Sequence, residues 1–99
     1  MPAVCRGNSV DSDVPHCSTP MRAACSGTVF VNGTGISRQG DVNTGHLLPG
    51  SPVCPTHAAP IAVGSTTVFV NGKGCGRVGD AISSCTSVAT GSPNVFAGG

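Results

Sequence analysis

The residues of this 99-residue chain best suited to chemistry are three histidines and six cysteines, and some of them keep a fixed distance from an aspartate. Asp11 is followed five residues later by His16, Asp41 five residues later by His46, and Asp80 five residues later by Cys85. Imidazole nitrogen and thiolate sulfur are both zinc donors. The remaining histidine, His57, lies in residues 49–60, PGSPVCPTHAAP, an insertion that lengthens the second repeat relative to the third. If the repeats are related by a pseudo-threefold axis, equivalent positions converge, so two imidazoles and one thiolate meet at one end and His57 supplies a fourth donor. Three His and one Cys close a tetrahedral shell with no position for water, which marks a structural zinc rather than a hydrolytic one. The predicted metal ligands are His16, His46, His57 and Cys85. Cys54-Pro-Thr-His57 is itself a C-x-x-H pair, so Cys54 is an alternative for one place; Cys85 is preferred because it holds the repeat position.

Catalysis finds little support in the same residues. His16 and Cys17 are adjacent and would point to opposite faces of a strand, poor geometry for a base and its nucleophile. Asp41 and Asp80 close the turn Arg-x-Gly-Asp, where a carboxylate commonly caps its own backbone, so Arg38 with Asp41 and Arg77 with Asp80 read as a repeated turn brace. A zinc hydrolase would need one ligand replaced by water and a carboxylate placed as base. The Gly-rich loops lack the helix that a phosphate cradle uses. Five Lys and Arg against four Asp and Glu give a formal charge of +1. Arg6, Arg22, Arg38, Lys73 and Arg77 are scattered without aromatic partners, which argues against nucleic acid as a partner. No catalytic residue and no small-molecule substrate are predicted.

The elements that must position the donors are repeated. Residues 28–41, TVFVNGTGISRQGD, recur at 67–80 as TVFVNGKGCGRVGD, ten of fourteen positions identical at an offset of 39. A truncated third copy, GSPNVFAGG at 91–99, matches GSTTVFVNG at 64–72 and places Phe30, Phe69 and Phe96 at one repeat position. Each VFVNG reads as a short strand entering an Asn-Gly hairpin turn. Helical periodicity is absent, and too few copies exist for a solenoid, so closure about a pseudo-threefold axis is the expected architecture. The predicted fold is all-β: one small domain over residues 1–99, a pseudo-threefold cone of short strands and turns closed around a structural metal. Val, Ile, Leu and Phe supply 21 of the 99 residues, near the lower bound for a folded domain, and Trp and Tyr are missing. A core this thin calls for a metal, crosslinks or a partner. With 9% charged residues, the surface is largely neutral, which suits a chain docked on another protein.

No segment approaches 18 consecutive apolar residues, and the N-terminus MPAVCRGNSVDSD has neither the basic flank nor the apolar stretch of a Sec-type signal. Six cysteines also permit a different reading, a small secreted disulfide-rich binding or inhibitor scaffold holding no metal. Against it stand the missing signal and the lack of a framework spacing. The cysteines outside the proposed zinc shell are expected to be small, buried and reduced.

Repeats of VFVNG followed by Arg-x-Gly-Asp, a His five residues after an Asp, Cys-Pro-x-His, a Cys after the last Asp and a final GSPNVFAGG together resemble a PAAR-repeat protein over about residues 3–98. The namesake Pro-Ala-Ala-Arg stands here as Gly35-Ile36-Ser37-Arg38 and Gly74-Cys75-Gly76-Arg77, with Arg kept; in the first repeat Arg6 and Asp11 are five apart instead of three. The resemblance implies a cone whose base sits on the blunt end of a trimeric β-helix spike, VgrG-like in type VI secretion or the central spike of a contractile phage tail, one chain per trimer. It implies one zinc held by three His and one Cys, which map onto His16, His46, His57 and Cys85. It implies a tip that sharpens the spike for piercing a target envelope on sheath contraction. Such a protein is assembled in the bacterial cytoplasm and leaves in a phage virion or secretion apparatus without a signal peptide. No effector extension is expected.

Overall fold

The structure, a computed structural model, describes residues 1–15, 19–44, 58–83 and 86–98, and the backbone alone of 46–47 and 56–57. Two hairpins form where the repeat places them. β1 (Phe30–Val31) turns through Asn32-Gly33 into β2 (Thr34–Gly35), and β5 (Phe69–Val70) turns through Asn71-Gly72 into β6 (Lys73–Gly74). Phe30 opposes Gly35 and Phe69 opposes Gly74. Both turn residues carry positive φ, 53° and 77° in the first hairpin and 54° and 78° in the second. That is the primed-turn conformation whose twist matches two antiparallel strands, and Asn-Gly is the pair that adopts it at least cost. A third ribbon pairs β3 (His46–Leu47) with β4 (Thr56–His57).

The remaining repeat is built from the two ends of the chain. Ala3 bridges Phe96 antiparallel, the same relation that Gly35 has to Phe30 and Gly74 to Phe69. Val4-Cys5-Arg6 therefore stands where Ile36-Ser37-Arg38 and Cys75-Gly76-Arg77 stand in the other units. The three units then close on one another: Ile36 bridges Arg6, Cys75 bridges Arg38, and Val4 bridges Arg77. Around the axis, Cys5 N–H donates to the Gly76 carbonyl at 3.0 Å, Ser37 N–H to Cys5 at 3.1 Å, and Gly76 N–H to Ser37 at 2.9 Å. A second ring runs from Gly7 to Gly35, Gln39 to Gly74 and Val78 to Ala3, at 3.0, 2.8 and 2.9 Å. Closed hydrogen-bond rings satisfy backbone groups that strands of two residues would otherwise leave unpaired.

Packing follows the same symmetry. One apolar cluster consists of Val31, Val70 and Ala97 from the Phe-bearing strands, with Val4, Ile36 and Cys75 from the segments opposite them. A second groups Cys5, Ala59, Ile61, Ile82 and Val88, with Val78 packed against it. The axis itself admits little bulk. The equivalent residues there are Cys5, Ser37 and Gly76, and a Cβ on Gly76 would lie 2.5 Å from the Ser37 carbonyl and 2.8 Å from Cys5 Sγ. The principal extents of 38, 23 and 22 Å give one long and two nearly equal short axes, consistent with pseudo-threefold rotation about a single axis. The all-β expectation holds, since the named elements are all strands; no helix among the described residues is long and apolar enough to cross a membrane.

Candidate functional site

The segments that lead into the predicted metal ligands form one closed ring. Ser12-Asp13, Val42-Asn43 and Ala81-Ile82 follow the three repeat aspartates, and each folds back on a return segment: Ser12 bridges Met21, Val42 bridges Pro60, and Ala81 bridges Ser87. The hairpins so formed join through Arg22 with Asn43, Ile61 with Ile82, and Asp13 with Val88. His16, His46 and Cys85 lie three residues along the chain from Asp13, Asn43 and Ile82 respectively. In the β3–β4 ribbon, the register sets His46 directly opposite His57. Directly opposed positions of an antiparallel pair share a face of the ribbon. His16, Cys85 and the alternative donor Cys54 lie outside the described residues. Among the described residues no three His, Cys, Asp or Glu group as a metal site. As a donor set, three imidazoles and a thiolate suit a tetrahedral zinc.

The ring formed by these segments holds a buried layer that the sequence does not announce. Arg22, counted there only among scattered cations, is fully buried, and its guanidinium donates to Asp13 Oδ2 at 3.0 Å, the Asp41 carbonyl at 2.6 Å and Ser37 Oγ at 3.2 Å. Asn43 Nδ2 donates to the same Asp13 Oδ2 at 2.9 Å, and Asn43 Oδ1 accepts the Ala59 N–H at 2.9 Å. Arg22, Ile61 and Val88 occupy equivalent ring positions, as do Asp13, Asn43 and Ile82. The layer is thus polar on one side and apolar on the other. Sequence periodicity could not show this, because Arg22 falls outside the alignable repeat and its equivalents are aliphatic.

The turn braces form in all three units. Arg38 Nε lies 2.7 Å from Asp41 Oδ2, Arg77 Nη2 lies 2.9 Å from Asp80 Oδ1, and Arg6 Nε lies 2.8 Å from Asp11 Oδ2. The two extra residues of the first turn are absorbed by Asn8 and Ser9, both at positive φ, so its brace survives the longer spacing. Burial pushes the Asp11 carboxyl up, but hydrogen bonds from the Arg6 side chain, the Arg6 N–H and the Thr90 hydroxyl outweigh it and hold Asp11 below the ordinary carboxylate value. These carboxylates are therefore committed to structure. Of the cysteines described, Cys5, Cys25 and Cys75 carry free thiols; burial pushes Cys5 up to about 12 despite Arg22, which makes it a poor nucleophile.

Three serines lock the opposite end. Ser26, Ser65 and Ser92 each accept two backbone N–H bonds from the strand that follows, between 2.9 and 3.2 Å. Each hydroxyl then donates to the next unit: Ser26 to Asn71 Oδ1 at 2.6 Å, Ser92 to Asn32 Oδ1 at 2.6 Å, and Ser65 to the Gly98 carbonyl at 2.5 Å. The unit built from the two chain ends has Gly98 where the others have asparagine, and its backbone oxygen replaces the missing amide. Arg38, Arg6 and Arg77 donate to those same three acceptors. Phe30, Phe69 and Phe96 stay 58%, 61% and 50% exposed, with Val29 and Val68 exposed beside the first two. Three large apolar side chains left open at equivalent positions form a threefold exposed set.

Comparison with known proteins agrees with this architecture. No curated protein matches the chain. The profile of the PAAR motif matches residues 50–99, the half that holds β5, β6 and the Phe96 segment. The chain belongs to the PAAR motif family, whose members are structural spike-tip proteins of type VI secretion and phage-like contractile systems.

Proposed function

We propose that this chain caps a trimeric β-helix spike, VgrG-like or the central spike of a contractile phage tail, with one chain seated on each trimer. The observation that carries this reading is the closed ring of three units that presents Phe30, Phe69 and Phe96 at equivalent exposed positions. A single chain can match three identical subunits only if it repeats its own surface three times, and this one repeats both the apolar side chain and the hairpin that bears it. Exposed aromatic side chains supply the buried anchors of a protein interface.

At the other end, His16, His46, His57 and Cys85 hold one structural zinc, with the opposed register of His46 and His57 in support. A closed shell supplies a crosslink among segments that have few large apolar side chains to pack, and rigidity is the property a piercing tip uses. Residues 1–99 act as one domain. The protein is assembled inside the bacterial cell and is carried outward on the spike when the sheath contracts, through a target envelope.

The test is native mass spectrometry of the chain mixed with a trimeric β-helix spike protein. One chain per trimer is expected, and the triple variant Phe30→Asp, Phe69→Asp, Phe96→Asp should fold but no longer bind. Three chains per trimer, or a triple variant that binds as the wild type does, would overturn the docking reading.

A further inference from the structure

We infer that the buried layer of Asp13, Arg22 and Asn43 positions the metal donors, with Asn43 as the residue that holds the His46–His57 ribbon in register with the segment leading to His16. This rests on the proposed zinc site. Asn43 uses both ends of its amide: Oδ1 accepts the Ala59 N–H two residues beyond His57, and Nδ2 donates to Asp13, three residues before His16. Its backbone N–H donates to the Ala59 carbonyl at 3.1 Å, so one residue ties the strand that enters β3 to the strand that leaves β4. Arg22 anchors the other side. Its guanidinium fixes Asp13 and reaches the Asp41 carbonyl in the second unit, and its carboxylate partner is as fully buried as it is.

The apolar residues at equivalent ring positions show what the layer is not needed for. Ile82 stands where Asp13 and Asn43 stand, and Ile61 and Val88 stand where Arg22 stands; all three are buried and apolar. Aliphatic side chains therefore satisfy the packing demand of this ring. A buried ion pair is seldom more stabilising than apolar residues of similar volume, so stability alone does not explain the polar half. Directional bonds fix angle and register where dispersion contacts do not. The polar half contains Asp13 and Asn43, three residues before His16 and His46, whereas Ile82, three residues before Cys85, belongs to the apolar half.

The test compares metal affinity with stability on the full chain. Cobalt(II) is titrated into metal-free wild type, Asn43→Leu and Ser26→Ala; its visible absorption reports tetrahedral geometry and thiolate ligation, and zinc competition gives the affinity. Partners that orient metal ligands typically affect affinity 10- to 100-fold. Asn43→Leu should weaken zinc at least about 10-fold and alter the cobalt spectrum. Ser26→Ala, which removes hydrogen bonds at the far end, should lower the unfolding midpoint with affinity and spectrum unchanged. The swap Asp13→Asn with Asn43→Asp keeps one carboxylate and one amide in the layer and should restore the wild-type spectrum. If Asn43→Leu does not fold, Asn43→Ser is read the same way. Wild-type affinity and spectrum in the Asn43 variants would overturn the positioning role and leave the zinc site standing. A wild type that binds neither metal would overturn the zinc site and this inference with it.

Discussion

Gly76→Ala is the sharpest perturbation of the threefold closure. The three units meet at Cys5, Ser37 and Gly76, linked by a ring of backbone hydrogen bonds of 3.0, 3.1 and 2.9 Å. A Cβ on residue 76 would sit 2.5 Å from the Ser37 carbonyl oxygen, 2.8 Å from Cys5 Sγ and 2.9 Å from Ile61 Cδ1. Relief needs a movement of several tenths of an ångström. The Ser37 oxygen cannot yield alone, because it is the acceptor that Gly76 N–H itself uses, so the ring must open at the point where it closes. Overpacking a tight interior site costs about 1 to 3 kcal/mol, and a weakened buried hydrogen bond adds about 1 kcal/mol. For a domain of this size a loss of about 2 kcal/mol lowers the melting temperature by about 8 to 16 °C. Gly27→Ala is the control, since a Cβ there meets nothing within 4 Å. Both variants are measured by urea unfolding and by calorimetry at one fixed zinc concentration, because bound metal adds to apparent stability. If Gly76→Ala unfolds within about 0.5 kcal/mol of wild type, the size expected of a substitution away from any special feature, the axial packing described here is wrong.

Three further outcomes follow from the same geometry. Ser92→Ala removes the hydroxyl that accepts the Asn94 and Val95 N–H groups and donates to Asn32, and should cost about 1 to 2 kcal/mol by urea unfolding, with Ser26→Ala close to it. The depressed Asp11 carboxyl contributes stability that is fully present above the ordinary carboxylate value of about 4 and is lost as pH falls through its lower folded value. Asp11→Asn should therefore trail wild type by a constant margin from about pH 5 to 7, with the gap narrowing below about pH 4; a gap that widens in acid would contradict the assignment. Chelation should lower the unfolding midpoint of wild type, and His57→Ala should bind less metal and lose most of its response to the chelator, as read by metal analysis beside the melts.

Much of this architecture is legible in the sequence, and the limits have physical causes. Asn32-Gly33 and Asn71-Gly72 announce their hairpins because few other pairs take two consecutive positive φ values cheaply. The braces at Arg38 and Arg77 are legible because donor and acceptor are three residues apart. The unit formed by Ala3 and Phe96 is hidden, since its two strands are 93 residues apart in the chain and Gly98 offers a backbone oxygen where an asparagine side chain is expected. Arg22 is hidden for a different reason. Its charge suggests surface, and only the bridge to Asn43 and the pairing with Asp13 reveal that it occupies an apolar ring position. The opposition of His46 and His57 is likewise a matter of register, which spacing across residues 47–56 does not determine.

The two ends of the molecule answer to different symmetries, and that difference accounts for where the repeats are faithful and where they diverge. At the Phe end each unit repeats the same devices: a serine that caps the strand, an oxygen acceptor in the next unit and an exposed phenylalanine. The proposed threefold partner would reward fidelity there, and where the sequence departs, as at Gly98, the hydrogen bond is kept by other means. A tetrahedral metal cannot be satisfied by three equal donors. The proposed shell takes its fourth ligand from the insertion that only the second unit carries, and the buried ring that leads into it is correspondingly unequal, polar at Asp13, Arg22 and Asn43 and apolar at Ile61, Ile82 and Val88. Divergence between the repeats is thus concentrated at the end where equality would leave a coordination position open, while the Phe end keeps an oxygen acceptor, from a side chain or from the backbone, wherever the serine contacts cross from one unit to the next.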